Sequence, residues 1–273
     1  MLGPLITDTD TTDHKQTHSM AKGLRYLVAL EKRKRFLQAA GVSQHDHFIA
    51  SFPKSGNTWL RYLLAFAKFP EKEISPTTLS HFVPSIYDER FAIEIKQLAP
   101  PRFIKTHEAF FSLYPKTIYI VRDYRDVVVS SFHYLTKKKL FDGNISKLIR
   151  AEQLHAFGDW SWHVSSAWEW KQKHPDKMHF VKYESLLENP EKELAAILEF
   201  CKIIPKQSLT EIVQAASFGN LRKKEEKELK SGDAYFFRKG IAGDWRNSLG
   251  EEDAAFLLRD KKTNEWMKKL GYL

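Results

Sequence analysis

The stretch 51-SFPKSGNTWLRYLLAF-66 decides how the chain is read. Pro53, Lys54, Ser55, Gly56, Asn57 and Thr58 stand between a short apolar run, 48-FIAS-51, and a longer one. Strand, tight loop, helix is the layout that cradles an anion. Backbone N–H groups converge at the helix N-terminus, and the helix dipole adds positive potential. The triphosphate-binding spelling of such a loop, G-x-x-x-x-G-K-[ST], is absent, and no Gly-Lys pair occurs in the sequence. Other residues must therefore hold the anion. Gly56 lets the backbone come close, Lys54 brings a point charge, and Ser55, Asn57 and Thr58 bring hydroxyl and amide donors.

Outward from this unit, 102-RFIKT-106, 116-KTIYIVRD-123 and 178-MHFVKYE-184 read as further strands, apolar and bounded by turn residues. Helical spacing is found over 20–40, ended by Gly41, and over 123-DYRDVVVSSFHYLTK-137, with Asp123 as N-cap. It recurs over 160–174, stopped by Pro175, and over 190–202, with Pro190 in the first turn. The segment 70–85 reads as loop with short helical turns, and 231-SGDAYFFRKGIAGDWRNSLG-250 as a long functional loop. Strands alternating with helices predict an α/β fold. The expectation is a single domain with a mostly parallel β-sheet, flanked by helices on both faces. Residues 1–19 read as a flexible N-terminal tail and 20–273 as the domain.

Composition sets the outer bounds. The 273 residues are 42% hydrophobic and 13% aromatic, enough for a sizeable core. No apolar run reaches the ~20 residues of a membrane-spanning helix. The N-terminus lacks the cationic start and apolar run of a secretory signal, and Leu2 does not fit N-myristoylation. The single Cys201 cannot form an internal disulfide, which fits a cytoplasmic location. The net charge of +9 points to an anionic partner, without choosing among nucleic acid, an acidic membrane surface and a small polyanion.

Three candidate strands end in polar clusters: Lys54 to Thr58, then Lys105-Thr106-His107, then Arg122-Asp123. In a parallel sheet these ends share one edge, the edge beyond which α/β proteins bind ligands. Arg122 offers a fork suited to phosphate, and His107 is the obvious general base nearby.

These blocks carry a resemblance. The stretch 51-SFPKSGNTW-59 resembles the 5′-phosphosulfate loop of cytosolic sulfotransferases, 102-RFIKTH-107 the strand that bears their catalytic histidine, and 122-RDYRDVVVSSFHY-134 their 3′-phosphate segment. The blocks 158-GDWSWHVSSAWEW-170, 183-YESLLENP-190 and 238-RKGIAGDW-245 are similar to three more, in the family's order. The resemblance implies transfer of a sulfuryl group from 3′-phosphoadenosine 5′-phosphosulfate (PAPS), with no metal. It implies that Lys54 meets the bridging oxygen and that Ser55, Gly56, Asn57 and Thr58 hold the 5′-phosphate. Trp59 and Phe218 would take the adenine from two sides, and Tyr183 would hydrogen-bond it. Arg122, Ser130, Arg238, Lys239 and Gly240 would grip the 3′-phosphate. Lys105 would stabilise the sulfuryl group, and His107 would take the acceptor's proton. The family's C-terminal dimerisation pattern, K-x-x-x-T-V-x-x-x-E, is missing, since no Thr-Val pair exists, so the oligomeric state stays open.

A small apolar alcohol or phenol is the expected acceptor, and no nucleic acid is expected as partner. Aromatic residues crowd the segments around His107. Phe82 and Tyr87 precede it, Phe110 and Phe111 follow it, and Phe132 and Tyr134 lie beyond Ser130. Phe82, Phe110 and Tyr134 are the candidate acceptor contacts. Two other readings stand beside this one: a metal-dependent P-loop kinase, and a non-catalytic binder of nucleic acid or anionic lipid. The first lacks its Gly-Lys pair, and the second leaves Lys54, Lys105 and His107 without a role.

Overall fold

The computed structural model describes residues 11–151, 159–228 and 240–273, with side chains from residue 25 onward. The chain divides into two compact units, residues 1–42 and 43–273. The first contains helix α1 (Thr11–Ala39), which begins before the 20–40 segment expected from spacing. The second is the α/β domain.

Its sheet has four parallel strands, β1 (His47–Ser51), β2 (Phe103–Thr106), β3 (Lys116–Val121) and β4 (Met178–Lys182), in the order β2-β1-β3-β4. The register sets Ala50 beside both Thr106 and Tyr119, and Ser51 beside Ile120. The carboxyl ends of β1, β2 and β3 therefore lie level. The chain also reverses its direction of travel across the sheet at β1, and such a switch point opens a crevice.

Alternation along the strands feeds two core layers. Ile49, Phe103, Ile118, Ile120 and Val181 face helix α2 (Asn57–Lys68) and the helices Pro190–Cys201 and Leu209–Ala215. On the other face, Tyr119 stacks on His163 and Phe180 meets Trp168 edge-on, both from the helix Trp160–Lys173. The expected covering of both faces is thus present. Helix α2 is buried along nearly its whole length, which its apolar run LLAFA requires. Each fully buried Leu or Phe there contributes about 1.5–3 kcal/mol.

Local signals set the helix ends. The Asp123 carboxylate accepts from Arg125 N–H and starts the helix Tyr124–Lys137. Asp159 accepts from Ser161 and Trp162 N–H and starts Trp160–Lys173. The 231–250 reading is revised where it can be seen. Residues Asp244–Asn247 form a 3₁₀ turn, and the N–H groups of Gly243 and Trp245 donate to buried Asp126 at 2.7 and 2.9 Å. This part is a fastened turn, not a loose loop. Residues 231–239, with Arg238 and Lys239, lie outside the described residues.

Candidate active site

The polar strand ends do converge. A cavity of about 390 Å³ opens over the carboxyl edge of β1, β2 and β3. Lys54, Gly56, Asn57 and Thr58 line it from the first loop, Lys105 and His107 from the end of β2, and Arg122 and Ser130 from beyond β3. Trp59, Tyr183, Phe218 and Gly240 line its far side. Sequence reasoning gathered these residues from segments spread over most of the domain.

The loop is shaped by two left-handed residues. Gly56 has φ 102°, and a Cβ there would meet Tyr183 Cδ2 at 2.5 Å, so no other residue fits without displacing that ring. Lys54 has φ 66°, unusual for a residue with a side chain, and strain of this kind gathers at functional sites. Its ammonium stands 4.2 Å from the centre of the Tyr134 ring. Lys105 Nζ lies 5.6 Å from the Tyr87 ring. Desolvation, then the charges of Arg122 and Lys105, lower the Lys54 pKa to about 8. Desolvation, then Arg61, lowers that of Lys105 to about 8. The cavity is thus lined by three cationic side chains, and no carboxylate is among the described residues that line it.

His107 is pinned at backbone and side chain. Its N–H donates to Tyr87 Oη at 2.7 Å, and its carbonyl accepts from His163 Nε2 at 3.0 Å. Tyr119 Oη lies 2.7 Å from His163 Nδ1 and donates to it, leaving the proton on His163 Nε2. The imidazole Nδ1–H of His107 donates to Ser51 O at 2.9 Å. That bond fixes the tautomer, so Nε2 carries the lone pair. Desolvation, then Lys105, lowers the His107 pKa to about 3, and the ring is neutral at neutral pH. Such a group can take a proton from a hydroxyl held beside it.

Several expectations need revision. The Asn57 amide was expected to donate to the anion, but Nδ2 donates to Ile49 O at 3.0 Å and Ser51 Oγ at 3.2 Å. Its side chain braces the strand end, which leaves its backbone N–H for the anion. Ser55 is fully buried and does not line the cavity, and its Oγ has no hydrogen-bond partner among the described residues. Trp59 and Phe218 were expected on two sides of a base. Their rings instead lie 5.2 Å apart, with Tyr183 at 5.9 Å from Trp59, so the three form one aromatic wall. Among the acceptor candidates, Tyr134 lines the cavity, whereas Phe82 and Phe110 do not. Phe82 packs on Phe69 at 5.2 Å and belongs to the main core. Phe110 starts the 3₁₀ turn Phe111–Leu113, which carries the chain on toward β3. Phe111 meets Tyr114, Tyr119 and His163 edge-on and is core as well.

A family model for the sulfotransferase domain matches residues 44–271. The chain belongs to this family. Cytosolic sulfotransferase 12 of Arabidopsis thaliana is 32% identical over 258 residues, covering 83% of this chain and 78% of the relative. Sulfotransferase 1A1 of Bos taurus is 28% identical, with 82% and 87% covered. Among solved structures, a retinol dehydratase in complex with androsterone and inactive cofactor PAP shares the fold, with a TM-score of 0.65. That match has 23% identity and covers 86% of this chain and 84% of the other. Family membership makes this chain a sulfotransferase and resolves the choice against a kinase or a non-catalytic binder. Among the described residues, no helix is long and apolar enough to cross a membrane, and no metal-binding cluster is found.

Sequence reasoning missed Ser51, Tyr119 and His163, which orient His107, and Asp126, which fastens the Gly243 turn. His163 lay inside a quoted block, 158–170, yet nothing in its spacing says that it reaches the His107 backbone. Ile241 and Pro53 also line the cavity and were not anticipated.

Proposed function

We propose that the chain transfers the sulfuryl group of PAPS to the hydroxyl of a small apolar alcohol or phenol. The observation that carries this is the pinned His107, its Nε2 lone pair set in a cavity with Lys54, Lys105 and Arg122. The residues present suit the nucleotide. Arg122, which lines the cavity, has a buried Nε with no hydrogen-bond partner among the described residues, and Gly56 lines the cavity beside the Tyr183 ring. The aromatic wall of Trp59, Tyr183 and Phe218 suits a purine face.

When bound, PAPS supplies an activated sulfuryl group and a phosphate leaving group. Lys54, with the backbone N–H groups of 55–58, would hold the 5′-phosphosulfate. Arg122 and Ser130, together with Gly240, Arg238 and Lys239, would take the 3′-phosphate. His107 Nε2 would take the proton of the acceptor's hydroxyl, making its oxygen the nucleophile. Lys54 would stand at the bridging oxygen and offset the charge of the leaving phosphate. Lys105 would stabilise the sulfuryl oxygens. Fixed charges placed where charge develops typically form the largest catalytic contribution. No metal takes part in this scheme.

Tyr87, Tyr134 and Ile241, each partly exposed on the cavity, favour an apolar acceptor. Residues 20–273 would form the functional domain, in the cytoplasm. The test offers a hydrophobic alcohol, a phenol and a heparan-type oligosaccharide together, with limiting radiolabelled PAPS. Label on the alcohol or phenol is expected. Preferential labelling of the oligosaccharide overturns the acceptor class, and no transfer to any hydroxyl overturns the reading.

A further inference from the structure

We propose that Asp126 is a positioning residue for recognition of the 3′-phosphate, joining Arg122 and the Gly240–Trp245 turn into one unit. The proposal rests on the reading that Arg122 meets the 3′-phosphate. Asp126 belongs to the helix Tyr124–Lys137 and is 1% exposed. Both of its oxygens hold the 243–245 turn, and Oδ2 also faces Arg122, more than a hundred residues from that turn in the chain. Oδ2 accepts from Gly243 N–H at 2.7 Å and lies 3.6 Å from Arg122 Nη2, and Oδ1 accepts from Trp245 N–H at 2.9 Å. Arg122 closes the triangle, since its Nη2 donates to Ile241 O at 3.3 Å.

The other contacts hold the guanidinium in place. Arg122 Nη1 donates to Lys54 O at 3.4 Å, and the group lies 4.3 Å from the centre of the Tyr183 ring. Arg125, one residue before Asp126, packs 3.8 Å over the Trp245 ring and steadies the same turn. Gly240 opens the turn with φ 65°, and a Cβ there would strike the Phe218 ring at 2.4 Å. The turn thus touches both the cation and the aromatic wall, and a single carboxylate sets its distance from Arg122. A carboxylate can accept from two backbone N–H groups at once. An Asn amide at the same place would turn its NH₂ toward one of them and release that strand of the turn.

A charge-repulsion role predicts the opposite sign: removing a negative charge near a phosphate would tighten binding. The test therefore measures 3′-phosphoadenosine 5′-phosphate and adenosine 5′-phosphate by calorimetry, since these differ only in the 3′-phosphate. Asp126→Asn is expected to weaken the first about tenfold and to leave the second within about twofold. Unchanged or tighter binding of the first, or equal losses for both, overturns the positioning role. Arg122→Ala serves as the control on the underlying reading. If it weakens both nucleotides equally, the 3′-phosphate assignment itself fails, whatever Asp126 does. Should Asp126→Asn not fold, hydrogen exchange on the unmodified protein decides. The Gly243 and Trp245 amides should exchange more slowly with the 3′-phosphorylated nucleotide than with adenosine 5′-phosphate, and equal protection overturns the proposal.

Discussion

The two ends of one sheet treat charge in opposite ways. At the amino end, Arg102 donates to both oxygens of Asp46, at 2.8 and 2.6 Å, and both residues are buried. Charge there is cancelled within the protein. At the carboxyl end, Lys54, Lys105 and Arg122 line one cavity with no carboxylate among its described lining residues. Cationic groups gather there, and desolvation is the first cause that lowers both lysine pKa values to about 8. One end of the sheet pairs its charge internally, and the other, on the proposed reading, offers it to a polyanion. Strained, like-charged groups gather where function needs them and are offset elsewhere.

Substitutions at the two ends should therefore fail in different ways. The largest effect is expected at the carboxyl end. His107→Ala should reduce turnover by roughly 10²–10⁴-fold, the worth of a positioned general base. Binding of 3′-phosphoadenosine 5′-phosphate and the melting temperature should stay near those of the unmodified protein. Steady-state kinetics, calorimetry and a thermal melt on one preparation decide it, and near-normal turnover would show that the base lies elsewhere.

At the amino end the order of losses reverses. Asp46→Ala leaves the Arg102 guanidinium buried beside Ile95 O without its counter-charge. Breaking a buried pair from one side costs about 3–5 kcal/mol. Urea unfolding should show that loss, while the folded fraction binds nucleotide normally. A stability change under about 1 kcal/mol, or a nucleotide defect at full stability, would erase the contrast between the ends.

The contrast itself was half legible in the sequence. Apolar strands ending in Lys54, His107 and Arg122 placed three clusters on one edge, because parallel strands must align their carboxyl ends. Period and composition report which face a residue takes, but not which distant backbone atom it meets. Asn57 turning back to Ile49 O, Ser51 O fixing the His107 tautomer and Asp126 fastening a turn beyond residue 240 are all contacts of that second kind. Phe82 was misread for the same reason: an aromatic residue near a site in sequence had equal claim to the core and to the cavity. The Asp46–Arg102 pair carried no signal at all, since each residue alone reads as an ordinary surface charge.

The smallest expected effect concerns His47, one residue from Asp46. Its ring is buried between Phe103, at 5.8 Å, and Phe200, at 6.3 Å, and neither ring nitrogen has a hydrogen-bond partner among the described residues. Burial, then the charge of Lys116, lowers its pKa to about 4. The folded value lies below the ordinary value of about 6.5, so the unfolded chain takes up the proton first as pH falls. Stability from this group is complete above about pH 6.5 and drains away as pH drops toward 4. The slope is at most about 1.4 kcal/mol per pH unit for one proton. His107 drains in the same direction, but it faces the cavity, where a bound polyanion favours its protonated form. Urea unfolding from pH 7 to 4.5 can separate the two. His47→Phe should flatten the acid slope by the same amount with and without saturating 3′-phosphoadenosine 5′-phosphate. A nucleotide-dependent change in the His47 contribution would mean that the two ends of the sheet are coupled. An unchanged slope would mean that the imidazole takes up its proton equally in the folded and unfolded states, against the lowering by burial.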